Sequence, residues 1–500
     1  MKPIAQLEER IRACWLGKNI GGTLGGPHEG KPGLLALDFY NPVPQGVLPN
    51  DDLDLQVVWM HHLLQGGHRT ATPDILAEAW ARHVAFPFDE YGIAHRNHAY
   101  GLKGAARGAF DNFFAESMGA AIRSEMWACL APGEPSRAAA LARADAVVDH
   151  CGDGVLAEVF HAALQSAAFV EAGRERLLET ALAFLPAGSR LKRGLLDTRR
   201  WWAETADWRE VRARVIARYA TGNFTDVVCN LCFELLGWLD GGDDFGRALC
   251  TAVNCGLDTD CTGATLGALF GIMNPGAIPE KWAWPIGPDV VLSKEILDVP
   301  APANLDTLTE WTLRLRAQLR DFAGEPEPPA PHAPAGENPV AGRIALAEAS
   351  SADEKILSRS SPPDAAGWRE RFAHGHWHRW AAADFPASVR LLKMRFRTGE
   401  NQSVKLMAFY RPGLTAWVDG RCALVLPENW CAGDVFTAPS FHRAGQSAVV
   451  FAAGALPPGE HELIIACRRP ERDCAADLVA GLGDPATNQW LPRAFLRSEE

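Results

Sequence analysis

Two short acid clusters, Asn50-Asp51-Asp52-Leu53-Asp54 and Leu257-Asp258-Thr259-Asp260-Cys261-Thr262, stand about two hundred residues apart. Each precedes a run that reads as a helix. Leu55, Val57, Val58 and Trp59 follow the first, and the small-residue stretch Gly263-Ala264-Thr265-Leu266-Gly267-Ala268-Leu269-Phe270, suited to close packing, follows the second. Aspartates at a helix N-terminus meet unpaired N–H groups and the positive end of the dipole, so low pKa values and anionic acids are expected. Asn50 or Asp258 alone needs no more than the role of an N-cap. If the two helix ends converge, however, four or five carboxylates crowd one site, and a proton or a cation must relieve the repulsion. Oxygen ligands of this kind suit Mg²⁺, Mn²⁺ or Ca²⁺ better than Zn²⁺.

Four segments in order resemble the ADP-ribosylglycohydrolase family. Leu16-Gly17-Lys18-Asn19-Ile20-Gly21-Gly22-Thr23-Leu24-Gly25-Gly26-Pro27-His28-Glu29-Gly30 is similar to the family's opening helix and glycine turn, with Glu29 on the acidic position. Asn50-Asp51-Asp52-Leu53 resembles T-D-D-T, and Gly256-Leu257-Asp258-Thr259-Asp260-Cys261 resembles G-G-D-T-D-T. Between them, His150-Cys151-Gly152-Asp153-Gly154 is similar to a substrate-side loop. The resemblance spans roughly residues 5 to 320. This chain departs from the pattern at Asn50 and Leu53, each in place of Thr, at Cys261, also in place of Thr, and at Gly22, in place of Asp.

The resemblance implies a metal-dependent glycosidase. Asn50, Asp51, Asp52, Asp258, Asp260 and Thr262 are the implied metal ligands, for one Mg²⁺ and room for a second ion. Glu29 is the implied proton carrier, with the four aspartates sharing the catalytic work. His150, Cys151, Gly152, Asp153 and Gly154 are the implied substrate contacts, with backbone N–H groups at Gly152 and Gly154 facing a phosphate or carboxylate. The implied partner is an ADP-ribosylated substrate or a small glycoside. The rival readings are a hydrolase of another N- or O-glycoside, such as a nucleoside, and a catalytically silent ADP-ribose-binding protein.

The elements that must position these residues are mainly α-helical. Leu7, Ile11, Cys14 and Trp15 form an early helical stripe, and alanine-rich stretches at 115–130, 136–150 and 155–172 continue the pattern. His95, Asn97 and His98 fall in what reads as a glycine-rich turn region with structural roles, as does Asn112. His61 and His62 face different directions of one helix, which argues against joint metal binding. The proline-dense stretch after Phe322 reads as a linker. Beyond it, Arg390, Leu392, Met394 and Phe396 alternate as in a strand, and Ala448-Val449-Val450-Phe451 and Leu463-Ile464-Ile465-Ala466 are short apolar runs. The expected organisation is an all-helical domain over 1–322, a linker over 323–340 and a β-sandwich-like accessory domain over 341–500. A loop residue of the latter, His442 or Arg443, is a candidate to lean over the cleft.

Composition narrows the function classes. A net charge of −12 argues against a nucleic-acid surface. The basic run from Arg190 to Arg200, with Trp201, Trp202 and Trp208, reads as a packed amphipathic helix. No apolar run approaches the ~18 residues of a membrane span, and no basic-then-apolar leader is visible, so no membrane contact and a cytoplasmic location are expected. The twelve cysteines are scattered. Cys229-Asn230-Leu231-Cys232 lacks the second pair that a zinc site needs. Nothing in the chain speaks to its oligomeric state.

Overall fold

The computed structural model describes residues 4–319, apart from 32, 87, 88, 111, 113 and 222, and then 343–426 with short omissions, 448–449, 456–470 and 476–483. The stretch expected as a linker at 323–340 and the loop of His442 and Arg443 lie outside the described residues. Helices dominate from Leu7 to Gln318, and strands from Arg343 to Gly483.

Two helices pack unusually close. The Leu7–Gly25 helix and the Thr259–Met273 helix run antiparallel, each with glycine at every fourth position along the facing stripe. A Cβ on Gly17 would lie 2.0 Å from the Gly267 carbonyl oxygen, one on Gly21 1.9 Å from that of Gly263, and one on Gly25 2.1 Å from that of Thr259. In the other direction, a Cβ on Gly271 would sit 2.1 Å from Ala13 O. Contacts this short admit no side chain, so the two backbones touch and the helices behave as one rigid pair.

A second constraint comes from buried aromatic residues. Trp15, Trp59, Trp80 and Trp127 are buried in one core. Three of the indoles satisfy their own polarity within it: Trp59 and Trp127 Nε1 both donate to Asp145, and Trp15 Nε1 donates to Thr312, whereas Trp80 Nε1 is buried without a partner among the described residues.

Helix ends differ from expectation in two places. His95, Asn97 and His98 lie on a helix, Asp89–Ala99, and not in a turn. Asn97 fastens that helix to the next short helix, Ala105–Ala109, by donating to Arg107 O and Phe110 O, the structural role expected of it. The alanine-rich run from 115 is irregular until Ala121, and the following helices cover Ser124–Leu130, Pro135–Ala146 and Asp153–Ala168. There the Asn112 side chain accepts from Phe114 N–H and donates to Asp149 O, competing with a helical path. His61 and His62 both reach His83, with ring centroids 5.8 and 5.9 Å away, because that third histidine packs across the gap between them.

The basic run is absorbed by acids. It forms the helix Arg190–Thr205, where Arg190 pairs with Asp226, Arg199 with Glu175 and Glu179, and Arg200 with Asp197.

The strands form two antiparallel sheets. One has the order Arg369–His374, Arg343–Ser351, Val389–Thr398, Gly459–Arg468, Leu414–Val418, Arg421–Leu426. The other has the order Trp377–Trp380, Ala476–Gly483, Lys405–Tyr410, Ala448–Val449. Asp419 (φ 46°) and Gly420 (φ 77°) close a two-residue hairpin, since both central residues of that turn need positive φ. Leu392, Met394 and Phe396 point into a shared core with Leu406 and Leu463.

Gly21→Ala should destabilise the chain by about 3 kcal/mol or more, because neither backbone can retreat from the added methyl. Gly188→Ala, exposed and with open space around it, should change stability by less than about 0.5 kcal/mol. Urea unfolding of both variants compares them directly.

Candidate functional site

The first acid cluster opens the Asp51–Gln65 helix. Asn50 is its N-cap: the side-chain oxygen accepts from Asp52 N–H at 2.8 Å. That oxygen is already engaged, so as a metal ligand Asn50 would have to share it. Asp51 is half-buried and accepts a hydrogen bond from the Tyr91 hydroxyl at 2.7 Å. Asp52 is buried, with Oδ1 3.4 Å from Lys18 Nζ and Oδ2 without a partner. Lys18 is itself buried; it lies 3.1 Å from Glu125 and donates to Ile122 O at 2.9 Å. Asp54 accepts from Ser293 N–H at 3.1 Å through one oxygen and leaves the other unpaired.

The second cluster opens the Thr259–Met273 helix after two residues at positive φ, Gly256 (76°) and Leu257 (69°). Leucine strains that conformation, and backbone bonds to a neighbouring loop hold it: Leu257 N–H donates to Lys31 O, and Gly30 N–H to Leu257 O, both at 2.8 Å. The same two bonds bring Glu29 alongside. Carboxylate oxygens of Glu29, Asp258 and Asp260 lie within 4.8 Å of one another, with Glu29 exposed and the two aspartates buried. Asp52, Asp260 and Cys261 form a second such group. The two helix ends therefore converge. Asp258 makes no capping bond through its side chain, so its carboxylate is left for the cluster. The Thr262 hydroxyl donates to Thr259 O at 3.2 Å.

The expectation of low pKa values is overturned. Burial pushes the Asp52 carboxyl up to about 7 and that of Asp54 up to about 8, and neighbouring carboxylates add to the shift. Asp51 is raised for the same first reason, and Asp258 and Asp260 are raised well above the usual carboxylate range, by burial and then by Glu29. A helix N-terminus stabilises one exposed anion by about 1 kcal/mol, too little for several buried ones. Burial would strip the charge from Lys18, yet Glu125 and Asp52 hold it protonated. One ammonium does not balance the cluster. The carboxylate donors and the unpaired Asp52 Oδ2 and Asp260 Oδ1 fit a divalent cation.

Most of the segment 150–154 is buried. His150, Cys151 and Asp153 are buried, Cys151 N–H donates to Ala115 O, and Asp153 N–H donates to Glu116. Gly154 N–H is taken by Cys151 O, so it is not available to a phosphate as expected. A Cβ on Gly119 would lie 2.0 Å from Glu90 Oε1 and 3.1 Å from His150, which puts Gly119 between this segment and Glu90.

Sequence reasoning missed four residues that shape the site. Glu125 and Tyr91 lie outside the motifs, and Lys18 and Asn230 lie within quoted stretches without being singled out. Asn230 accepts from Asp258 N–H at 3.3 Å and donates to Phe224 O and Asp226 O. Only a lysine on an otherwise small and apolar helix stripe hinted at Lys18. Cys229 and Cys232, which flank Asn230, are buried.

The family model described as ADP-ribosylglycohydrolase matches residues 3–321. A solved structure titled "ADP-ribosylglycohydrolase-related protein complex" is similar at 21% identity and a TM-score of 0.43, over 63% of this chain and 99% of that one. No curated protein matches this sequence.

Behind the site, the Arg123 guanidinium bonds both Asp145 and Asp149, with all three fully buried. Burial alone would raise Asp149, but Arg123 and His150 outweigh it and hold its carboxyl at about 2. A carboxyl depressed below its unfolded value of about 3.9 stabilises the fold above that pH and loses the contribution as pH falls through the folded value. Between about pH 4 and pH 2 this group should account for about 2 kcal/mol of lost stability. Urea unfolding across that window should show a flatter acid limb in Asp149→Asn.

Proposed function

The chain belongs to the ADP-ribosylglycohydrolase family, and we propose that it hydrolyses the glycosidic bond of an ADP-ribosyl or related ribosyl substrate with the help of a divalent cation, Mg²⁺ first among candidates. The family's chemistry is glycosidic-bond hydrolysis on ADP-ribosyl groups. The observation that carries the reading is the meeting of Glu29, Asp52, Asp258 and Asp260 from three distant parts of the chain.

Asp51, Asp52, Asp258 and Asp260 would hold the cation, with the Thr262 hydroxyl and Asn50 beside them. When bound, it supplies positive charge that neutralises the cluster and polarises water and sugar hydroxyls. The chain's own residues do the rest. Lys18 fixes one oxygen of Asp52, and Tyr91 fixes one oxygen of Asp51, so both carboxylates are pre-set. Glu29, at the exposed edge, takes a proton from the attacking water as the bond from the anomeric carbon to the leaving atom breaks. The water oxygen supplies the electron pair of the new C–O bond. The departing atom keeps the old pair and takes the proton back from Glu29. Buried carboxylates beside the anomeric carbon favour its oxocarbenium character. The 150–154 segment, which we assign to the substrate side, is fastened to Ala115 and Glu116 by the Cys151 and Asp153 N–H groups.

Turnover of ADP-ribosyl-arginine, ADP-ribosyl-serine, nucleosides and aryl glycosides, with and without chelator, tests the reading. Chelator-sensitive release of ADP-ribose is the expected result. Asp51→Asn and Asp258→Asn should each lower it about a hundred-fold or more. Both variants should keep the far-ultraviolet circular dichroism of the parent and lose the rise in Tm that Mg²⁺ produces, a rise worth about 2.7 kcal/mol at a hundred times Kd. Undiminished turnover in both would sink the proposal.

A further inference from the structure

Asp260 belongs to two unlike donor sets. With Glu29 and Asp258 it offers carboxylate oxygens alone, at the exposed edge of the site. With Asp52 it meets Cys261 Sγ, and all three of those residues are buried. In the second set Asp52 Oδ2 and Asp260 Oδ1 are buried without hydrogen-bond partners, a condition that a proton or a cation relieves. A cysteine that serves only as a small hydrophobe is lined by apolar atoms. Cys261 belongs to the apolar core, but in the first turn of its helix its Sγ also lies within 4.8 Å of carboxylate oxygens of Asp52 and Asp260.

Sulfur and oxygen donors select different ions. Thiolate ligands have little affinity for Mg²⁺ or Ca²⁺ and bind Zn²⁺ and Co²⁺ well. Resting on the functional reading above, we propose that Asp260 bridges two different cation positions, an outer all-oxygen one for a hard ion and an inner one that takes Zn²⁺ with Cys261 as thiolate. On binding, the Cys261 S–H bond breaks, the electron pair stays on sulfur as donor to the metal, and the proton leaves to solvent. The chain thus differs from its family pattern, which places Thr at this position, in the ion its inner position selects.

Co²⁺ titration of the chelator-treated full chain tests this by spectroscopy, without reference to turnover. The expected result is a thiolate-to-cobalt charge-transfer band in the near ultraviolet that saturates at one equivalent, is displaced by Zn²⁺ and persists in excess Mg²⁺. Cys261→Ser should abolish the band and weaken Zn²⁺ binding at least about ten-fold. Cys261→Thr, with the family's residue at that position, is the second variant and should give the same loss. Co²⁺ binding without the band, or a band that survives in both variants, would overturn the assignment. The band with no turnover of any ADP-ribosyl substrate would leave the assignment standing and remove the functional reading. Mg²⁺-activated turnover with no band would do the reverse.

Discussion

The contact on which the site depends is between two backbones. Gly17, Gly21 and Gly25 on one helix face Gly267, Gly263 and Thr259 on the other, with no room for a Cβ between them. Because the helices are antiparallel, the C-terminal end of the first arrives at the N-terminal end of the second. Glu29 follows the first helix within four residues, and Asp258 immediately precedes the second. The glycine stripe therefore sets the separation of Glu29 from Asp258 and Asp260. Any side chain in the stripe would drive the carboxylates apart as well as loosen the core.

That geometry creates an electrostatic load. Several carboxylates are drawn out of water, and burial raises their proton affinity more than the helix termini lower it. Lys18 relieves part of the load through Asp52 and shares its charge with Glu125. The rest is relieved by protons in the free chain, or by a cation where one binds. A site of this kind couples cation uptake to proton release, since the raised carboxyls must ionise to become ligands.

Departures from the family pattern form physical units. A Cβ on Gly22 would lie 2.5 Å from Asn50 Nδ2, so the larger Asn50 is accommodated by the smaller Gly22. The pattern's Asp and Thr at these two positions have been exchanged for a residue of no side chain and one of longer reach. Leu257 stands where the pattern has glycine and adopts the positive φ that glycine would take freely, with the Lys31 bond holding it there.

Much of this was legible in the sequence. The Asp51 and Thr259 helices begin where the acid clusters stand: Asn50 caps the first by accepting from Asp52 N–H, and acids in the first turn of both suit the positive end of the dipole. The small-residue run after Gly263 announced close packing, and alternation after Arg390 announced strands. These are local properties, carried by neighbours in the chain. The pKa directions, the buried cation at Lys18, the hold of Tyr91 on Asp51 and the burial of His150, Cys151 and Asp153 were not legible. Each depends on which surfaces meet and how much water they exclude, and a linear sequence does not encode burial residue by residue. The sequence by itself determined which side chains could do the chemistry. Only the tertiary structure decided that they meet, since the approach of two glycine stripes across some two hundred and fifty residues is a property of the folded core.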